Sequence, residues 1–203
     1  MIEKEMYKFF ADIIYKHTGI HYPEQNYFQL ESRLKELAKH MGKSSVHDVY
    51  QEFKKNLNLW SAACSTGQEL YSVLMTLKED LPEIFLKQFS FVASDYSSRV
   101  LERAKKGEYS QLEVQRGLPD HLKTKYFIQI NSNTWQVKDD LRRLIQFKKL
   151  NLFSDSFGQQ KFDLILCRNV LIYQKVEDKK RIIQNIHRNL KDDGVLILGS
   201  SES

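Results

Sequence analysis

The sequence contains few cysteines and no long apolar run, and both absences narrow the class of protein. Its 203 residues include only Cys64 and Cys167, too few for a disulfide framework and without a CxxC metal pattern. We interpret both as small buried side chains. No apolar run approaches the roughly 20 residues that a membrane-spanning helix needs. The N-terminal residues include acids and lack the apolar core of a secretory signal. We therefore expect a protein of the reducing cytoplasm that does not insert into a membrane.

Metal-ligand spacing and the dinucleotide fingerprint are also missing. The six histidines are scattered without ligand spacing, so we predict no metal site. No GxGxxG turn is present, which disfavours a nicotinamide dehydrogenase. The net charge is +5, but the basic residues are interspersed with acids. Such a surface supports nucleic-acid binding only weakly and suits an acidic protein partner equally well, so we predict no nucleic-acid partner.

The composition and the hydrophobic periodicity predict a folded chain with a small all-α domain at residues 1–56. Hydrophobic residues make up 41% and charged residues 28%, as in globular proteins. Apolar residues recur at helical spacing in two segments: Met6, Phe9, Phe10, Ile13 and Ile14, then Tyr27, Leu30, Leu34 and Leu37. Pro23 is predicted to open the second helix. Ser45 with Asp48 resembles the capping arrangement of a third helix.

From residue 57 to residue 203 the pattern changes to apolar strands that alternate with helices. This alternation predicts an α/β fold with a doubly wound, mostly parallel sheet. The predicted strands are Leu57–Cys64, Phe89–Ser94, Leu144–Leu150, Phe162–Cys167 and Gly194–Gly199. The predicted helices are Gln68–Lys78, Ser97–Lys106 and Val176–Leu190. Residues 108–143 fit the alternation poorly, and we interpret them as an insertion with a short hairpin around Ile130–Val137.

Ligands of such a sheet bind beyond the carboxyl ends of its strands, so the residues there are candidates for a site. Small residues after the first strand, including Ala63 and the turn glycine Gly67, allow a close backbone approach. Glu69 either meets a ligand ammonium or is simply favoured at a helix N-terminus. Asp95 after the second strand either binds ribose hydroxyls or caps the next helix. A single-glycine turn with a nearby acid suits adenosine linked to methionine better than a dinucleotide.

The third and fourth strands are followed by further polar candidates. Asn151 and Leu152 follow the third strand and either hold an adenine edge or form an ordinary loop. Arg168 and Asn169 follow the fourth strand, and Tyr173 lies a few residues further on. Because burial of unpaired polar groups is costly, these residues indicate a pocket. The alternative is a surface loop with an exposed Arg168 and a packed Tyr173.

Long blocks of sequence, in order along the chain, resemble the chemotaxis receptor methyltransferases of the CheR family. The blocks are GIHYPEQNYFQLESRLKEL, WSAACSTGQELYS, FVASDYSSRVLERAKKGEYS, FDLILCRNVLIY and LKDDGVLILGSSES. The resemblance implies a Rossmann-like class I methyltransferase that uses S-adenosylmethionine and leaves S-adenosylhomocysteine. It also implies methylation of glutamate side chains on the cytoplasmic helices of chemoreceptors by a cytoplasmic enzyme, which we expect to be a monomer.

The resemblance assigns roles to individual residues. Together with the small-residue turn, it predicts eight cofactor contacts: Ala63, Gly67, Glu69, Asp95, Asn151, Leu152, Arg168 and Asn169. Tyr173 corresponds to a tyrosine near the reacting methyl group, and Tyr173 and Arg168 are the catalytic candidates. The insertion at 108–143 resembles a small β-subdomain that docks a receptor's C-terminal peptide in some family members.

Two features depart from the family pattern. The family has a signature like TTNxTxFFRE before its first strand, whereas Lys54-Lys55-Asn56 here runs directly into Leu57 and no such stretch occurs in the sequence. The family also continues, beyond the position of Ser203, into strands that complete its sheet. Three hypotheses stay open: an active protein-glutamate methyltransferase, a non-catalytic relative that binds the cofactor or a receptor, and a methyltransferase with another substrate.

Overall fold

The chain divides into two compact units. The computed structural model describes residues 2–81 and 86–202. The first unit comprises Met1–Asn56 and Lys78–Gln88, and the second comprises Leu57–Leu77 and Phe89–Ser203. Within the described ranges, no helix has both the length and the apolar character that crossing a bilayer demands.

The first unit is helical and is built on apolar stripes. Its elements are α1 (Ile2–Thr18), a 3₁₀ turn (Glu24–Asn26), α2 (Tyr27–His40) and α3 (Val46–Phe53). The predicted stripe of α1 is confirmed, because Met6, Phe9 and Phe10 are buried in one cluster with residues of α2 and α3. Burial of these large side chains supplies the hydrophobic free energy that holds the unit together.

The structure of α2 and α3 tests three predictions: the apolar stripe of α2, the position of Pro23 and the cap of α3. The buried face of α2 consists of Leu30, Leu34 and Ala38, because side chains four residues apart lie on the same face of a helix. Leu37, which was predicted to belong to this face, is exposed. Pro23 has ψ 156 and precedes the 3₁₀ turn, so it does not open α2 directly. The predicted cap of α3 is confirmed: the Ser45 hydroxyl accepts a hydrogen bond from the Asp48 N–H.

The second unit contains a five-stranded parallel sheet, as predicted. Its strands are β1 (Leu57–Ala62), β2 (Phe89–Asp95), β6 (Ile145–Lys149), β7 (Phe162–Cys167) and β8 (Leu190–Leu198). The spatial order is β6-β2-β1-β7-β8, and every neighbouring pair is parallel. The chain therefore builds outwards from β1 to one side and then from β7 to the other. The carboxyl ends of β1 and β7 flank the point of reversal, where open α/β sheets bind ligands.

Helices cover both faces of this sheet. They are α4 (Gln68–Asp80), α5 (Ser98–Lys106) and α9 (Val176–Arg188). Neighbouring residues of β1 enter opposite cores: Leu59 packs with residues of α4 and α5, and Trp60 packs with residues of α9. Alternate residues of a strand point to opposite faces, so strands covered on both sides read as the continuous apolar runs seen in the sequence.

The insertion is larger and more ordered than the predicted hairpin. It forms an antiparallel sheet of order β3-β5-β4 with three short helices: β3 (Glu108–Ser110), α6 (Gln111–Gln115), α7 (Asp120–Tyr126), β4 (Phe127–Asn131), β5 (Thr134–Val137) and α8 (Asp139–Arg142). Strand β4 begins at Phe127, three residues before the predicted Ile130. Tyr109, Phe127 and Val137 are buried with α4. Single apolar residues between polar ones anchor the insertion, which is why its composition appears polar.

Two strands differ from the predictions by two residues or more at one end, and β2 and β6 differ by no more than a single residue at either end. Strand β1 ends at Ala62 instead of Cys64, because Ala63 has φ 55 and leaves the extended conformation. Helix α9 ends at Arg188, and β8 begins at Leu190 instead of Gly194. Regular pairing of β8 with β7 resumes only at Val195, after an irregularity in the register. The predicted Gly194–Gly199 strand corresponds to this regular part.

Candidate cofactor site at the strand ends

A tight turn leads from β1 into α4. Ala63, Ser65 and Gly67 all have positive φ, at 55, 50 and 86. A Cβ on Gly67 would lie 3.1 Å from the Cβ of Ala104 in α5. Gly67 is therefore required both by its left-handed backbone and by the close approach of α5. The structure gives this glycine a packing role, and its predicted contact with the cofactor stays a prediction.

Asp95 ends β2, and its carboxylate ties two loops together. Its Oδ2 accepts a hydrogen bond from the Ser65 N–H at 2.9 Å, and its Oδ1 accepts one from the Ser97 N–H at 2.9 Å. Ser97 precedes α5 and occupies its N-cap position. The alternative prediction, that Asp95 caps this helix, is therefore wrong. Each carboxylate oxygen can accept a second hydrogen bond, so both can also receive ribose hydroxyls.

A cavity of about 370 Å³ lies at these strand ends, and four of the predicted residues line it: Ala63, Asp95, Asn151 and Leu152. This volume is within the range of roughly 300–1,000 Å³ that is usual for small-molecule sites. The four residues lie at the ends of three different strands, β1, β2 and β6, which are neighbours in the sheet. The fit to a nucleoside rests on a carboxylate and an amide set in a largely apolar wall.

The loop after β6 forms one wall of the cavity. The Asn151 Oδ1 accepts a hydrogen bond from the Phe153 N–H at 3.0 Å, and the Asn151 N–H donates to the Asp155 carboxylate at 2.7 Å. The first bond fixes the Asn151 side chain at the cavity, and the second fixes its backbone. Leu152 is 9% exposed and supplies an apolar surface. Asn151 is therefore held by a defined hydrogen-bonded turn.

Tyr96 is a lining residue that the sequence reasoning missed. It directly follows Asp95, its side chain is largely exposed, and the Lys149 ammonium lies 5.7 Å from the centre of its ring. An aromatic face at the edge of a nucleoside site can stack on a base. The available signal was its position next to the acid that ends β2.

Glu69 and Arg168 pair with each other. The Arg168 Nη1 lies 2.8 Å from the Glu69 Oε1, and Glu69 Oε2 accepts a longer bond from the Ser61 hydroxyl at 3.4 Å. Neither residue is among those that line the 370 Å³ cavity. Their predicted cofactor contacts stay predictions, and the structure adds that the two charges already neutralise each other beside the turn after β1.

Asn169 and Tyr173 belong to the loop after β7. Asn169 is left-handed, with φ 59, and its backbone N–H donates to the Glu202 carboxylate at 2.8 Å. Tyr173 lies in a 3₁₀ turn (Leu171–Tyr173) and is 79% exposed, so the packed tyrosine of the surface-loop alternative is wrong. The exposed Arg168 of that alternative is confirmed, since its side chain is 47% exposed. Val170, which lies between them in sequence, does line the cavity.

Both cysteines are buried at the ends of β1 and β7, as predicted. Burial raises the pKa of the Cys64 thiol to about 12, and the nearby Asp95 charge adds to the effect. Burial likewise raises the pKa of Cys167 to about 12. Both thiols are therefore protonated at neutral pH and are poor nucleophiles. Among the described residues, no group of three or more His, Cys, Asp or Glu side chains is placed to hold a metal ion.

A second, larger cavity of about 630 Å³ lies elsewhere in the same unit, between α4 and the insertion. Its walls include Tyr71, Met75, Tyr109 and Leu122. It contains none of the predicted site residues. Size therefore favours this cavity as the ligand site. The topology of the sheet and the placement of Asp95 instead favour the cavity of about 370 Å³.

The sheet order, the reversal point between β1 and β7, and an acid at the end of β2 define the second unit as a Rossmann-like nucleoside-binding domain. The chain belongs to the CheR methyltransferase family. Residues 24–203 match the family described as "CheR methyltransferase, SAM binding domain". This match confirms the resemblance seen in the sequence, together with S-adenosylmethionine as the cofactor of the domain.

Related proteins agree with this assignment. The chain is 39% identical over 164 residues to "Chemotaxis protein methyltransferase Cher2" of Pseudomonas putida, covering 76% of this chain and 59% of that protein. It is 41% identical over 153 residues to "Chemotaxis protein methyltransferase 1" of Pseudomonas aeruginosa, covering 73% and 56%. The matched regions thus span a little over half the length of these curated relatives.

Solved structures of methyltransferases are also similar. One is the glycopeptide N-methyltransferase MtfA complexed with S-adenosyl-L-methionine, with a TM-score of 0.46, 13% identity, and coverage of 83% of this chain and 53% of that chain. A likeness at this level does not support a functional argument.

Proposed function

We propose that this chain provides the cofactor-binding part of a cytoplasmic methyltransferase that modifies glutamate side chains on chemoreceptor helices. The observation that carries the proposal is the convergence of Ala63, Asp95, Asn151 and Leu152, which come from three strand ends, on one cavity. The names of the relatives, chemotaxis protein methyltransferases, support the same activity.

The residues of the cavity fit the parts of S-adenosylmethionine. When bound, this cofactor supplies a methyl group carried on a sulfonium. Asp95, oriented by two backbone N–H groups, would accept the ribose hydroxyls. Asn151 would meet an adenine edge, and Leu152 would cover an apolar face of the base. The predicted contacts of Glu69 and Arg168 with the cofactor require their ion pair to open or to act as a unit.

A glutamate acceptor needs no strong general base. Its ordinary pKa is about 4.3, so it is already ionised near neutral pH. The task of the protein is to align the acceptor and to exclude water, which can supply several kcal/mol. Tyr173 is proposed to shape the surroundings of the reacting methyl group, and its 79% exposure makes it accessible to a substrate.

One observation favours a second candidate function. The connection between α3 and β1 is only Lys54–Asn56, where the family has the TTNxTxFFRE-like signature. Under this second hypothesis, the chain holds the cofactor or binds a receptor without transferring the methyl group. Methylation of another substrate is the third outcome that the experiment must separate.

The test is transfer of a radiolabelled methyl group from S-adenosylmethionine to purified receptor cytoplasmic fragments, with calorimetric binding of S-adenosylhomocysteine measured in parallel. We expect base-labile label on the fragment, because methyl esters hydrolyse in base. The label should disappear when the acceptor glutamates are changed to glutamine. Binding without any label on the fragment would establish the second candidate instead. Label that appears only on other cell components would point to another substrate.

A further inference from the structure

The carboxylate of Glu202 receives hydrogen bonds from five backbone N–H groups. Four of them belong to the consecutive residues 169–172 at the end of β7, and the fifth belongs to Gly199 at the end of β8. Oε1 accepts from residues 170, 171 and 172 at 2.6, 2.6 and 3.3 Å. Oε2 accepts from residues 169 and 199 at 2.8 and 2.7 Å. One side chain thus joins the ends of two neighbouring strands.

The backbone around Glu202 is shaped to receive a carboxylate. The left-handed conformation of Asn169, φ 59, directs its N–H and the following ones toward one point. A Cβ on Gly199 would lie 2.5 Å from the Glu202 Oε2 and 3.2 Å from the Asn169 nitrogen. Gly199 therefore leaves the space that the carboxylate occupies. The cluster of N–H groups and the space left by Gly199 are two independent signs that this backbone is shaped to bind the Glu202 carboxylate.

The same bonds keep Glu202 ionised. Burial alone would raise the pKa of its carboxyl, but hydrogen bonds from Gly199, Asn169, Val170 and Leu171 outweigh burial and lower the pKa below its ordinary value. Hydrogen bonds from N–H groups to a charged carboxylate are about twice as strong as neutral ones. The hydrogen bonds from the five N–H groups to the Glu202 carboxylate, here called the Glu202 clamp, are therefore fully formed at neutral pH.

The loop after β7, which Glu202 holds, contains the site residues predicted to follow the fourth strand of the sequence. Val170 and Gln174 line the 370 Å³ cavity, and Asn169 and Tyr173 lie in the same loop. We propose that Glu202 is a positioning residue of the cofactor site, which sets the loop after β7 so that Val170 and Asn169 face the bound cofactor. This inference rests on the proposed function, because it presumes that the cavity binds S-adenosylmethionine.

The experiment measures S-adenosylhomocysteine affinity by calorimetry for the wild type, Glu202→Gln and Glu202→Asp. Glutamine replaces one acceptor by an NH₂ donor that would face N–H donors, whereas aspartate keeps the charge and both acceptors. Asp192→Asn, an exposed acid on β8, is the matched control. We expect at least about a tenfold loss in Glu202→Gln, a smaller loss in Glu202→Asp, and no change in Asp192→Asn. Partial rescue by aspartate separates positioning by charge from simple packing.

The outcomes separate the inference from the proposed function. Wild-type affinity in a folded Glu202→Gln protein overturns the inference alone. Absence of binding by the wild type overturns the proposed function and, with it, the inference. Should Glu202→Gln fail to fold, amide hydrogen exchange of the wild type decides. Protection of the Val170 and Leu171 amides should rise at least about tenfold when S-adenosylhomocysteine binds, and unchanged protection would refute the positioning role.

Discussion

For Asp95 the sequence predicts either binding of ribose hydroxyls or capping of α5. The structure shows that Asp95 links two loops, which orients its carboxylate for ribose binding. The carboxylate neither caps α5 nor stands isolated; it holds the turn after β1 against the start of α5. Two backbone N–H groups fix its orientation before any ligand arrives. Such preorganisation reduces the entropic cost of binding, since the acceptor oxygens already point in defined directions.

Replacing Asp95 by asparagine should weaken binding of S-adenosylhomocysteine. The change removes the charge and one acceptor oxygen, and hydrogen bonds to a charged group contribute about 1.5–3 kcal/mol. We therefore expect a loss of roughly 10- to 150-fold in affinity, measured by calorimetry. Asp120→Asn in α7 is the control, because the Asp120 side chain is 96% exposed. Equal affinities of both variants and the wild type would show that Asp95 does not contact the cofactor.

Tyr173 tests the predicted catalytic role on its own. Because its side chain is 79% exposed, Tyr173→Ala should leave the folding stability and the affinity for S-adenosylhomocysteine nearly unchanged. If Tyr173 shapes the surroundings of the methyl group, turnover should fall by about tenfold or more. Tyr173→Phe, which keeps the ring, separates the contribution of the ring from that of the hydroxyl. Full turnover in Tyr173→Ala would exclude the role.

The pairing of Glu69 with Arg168 shows what residue patterns do not reveal. Each was predicted separately as a cofactor contact, and they lie 99 positions apart in sequence. A pairing across a sheet depends on strand order, which hydrophobic periodicity does not specify. The role of Glu202 is not predictable from the sequence for a related reason: its five partners are backbone N–H groups, which any sequence supplies.

At the scale of elements, the turn from β1 into α4 is constrained by both its backbone conformation and its contact with α5. Gly67 has φ 86, and a Cβ there would meet Ala104 at 3.1 Å. Gly158 also has positive φ, 60, but a Cβ there would have nothing within 4 Å. The two glycines therefore separate backbone strain from steric overlap.

Replacing Gly67 by alanine should destabilise the protein more than replacing Gly158. Each change forces a left-handed alanine, at a cost of about 1–2 kcal/mol. Gly67→Ala also overpacks the contact with α5, which costs about 1–3 kcal/mol more. Urea unfolding gives the difference between the two free energies of unfolding. Equal destabilisation by both changes would show that α5 does not press against the turn.

The central strands and their helices were predictable, because continuous apolar runs alternated with helical segments, one of which ends at Gly107. The insertion was underestimated, because its strands β3 and β5 are three and four residues long and each buries a single residue, Tyr109 and Val137. The irregular start of β8 was missed, since its residues before Val195 do not follow the regular pairing. Local pattern identifies elements that bury whole faces and misses those anchored by one side chain.

At the scale of the whole molecule, topology accounts for the site better than cavity size does. The family match and the sheet order agree with the sequence-based fold, and four of the eight predicted cofactor residues line one cavity. The other four lie beside it in an ion pair, a packed turn and a clamped loop. The Glu69–Arg168 pair joins positions 99 apart in sequence, a tertiary contact that no single segment encodes.

Mapping S-adenosylhomocysteine by backbone amide chemical shifts tests the central claim most directly. We expect the largest shifts at the ends of β1, β2, β6 and β7, at Ala63, Asp95, Asn151 and Val170. Amides along the larger cavity, such as those of Tyr71 and Tyr109, should move little. Shifts concentrated at the larger cavity, or no shifts at a saturating concentration, would contradict a cofactor site at the strand ends.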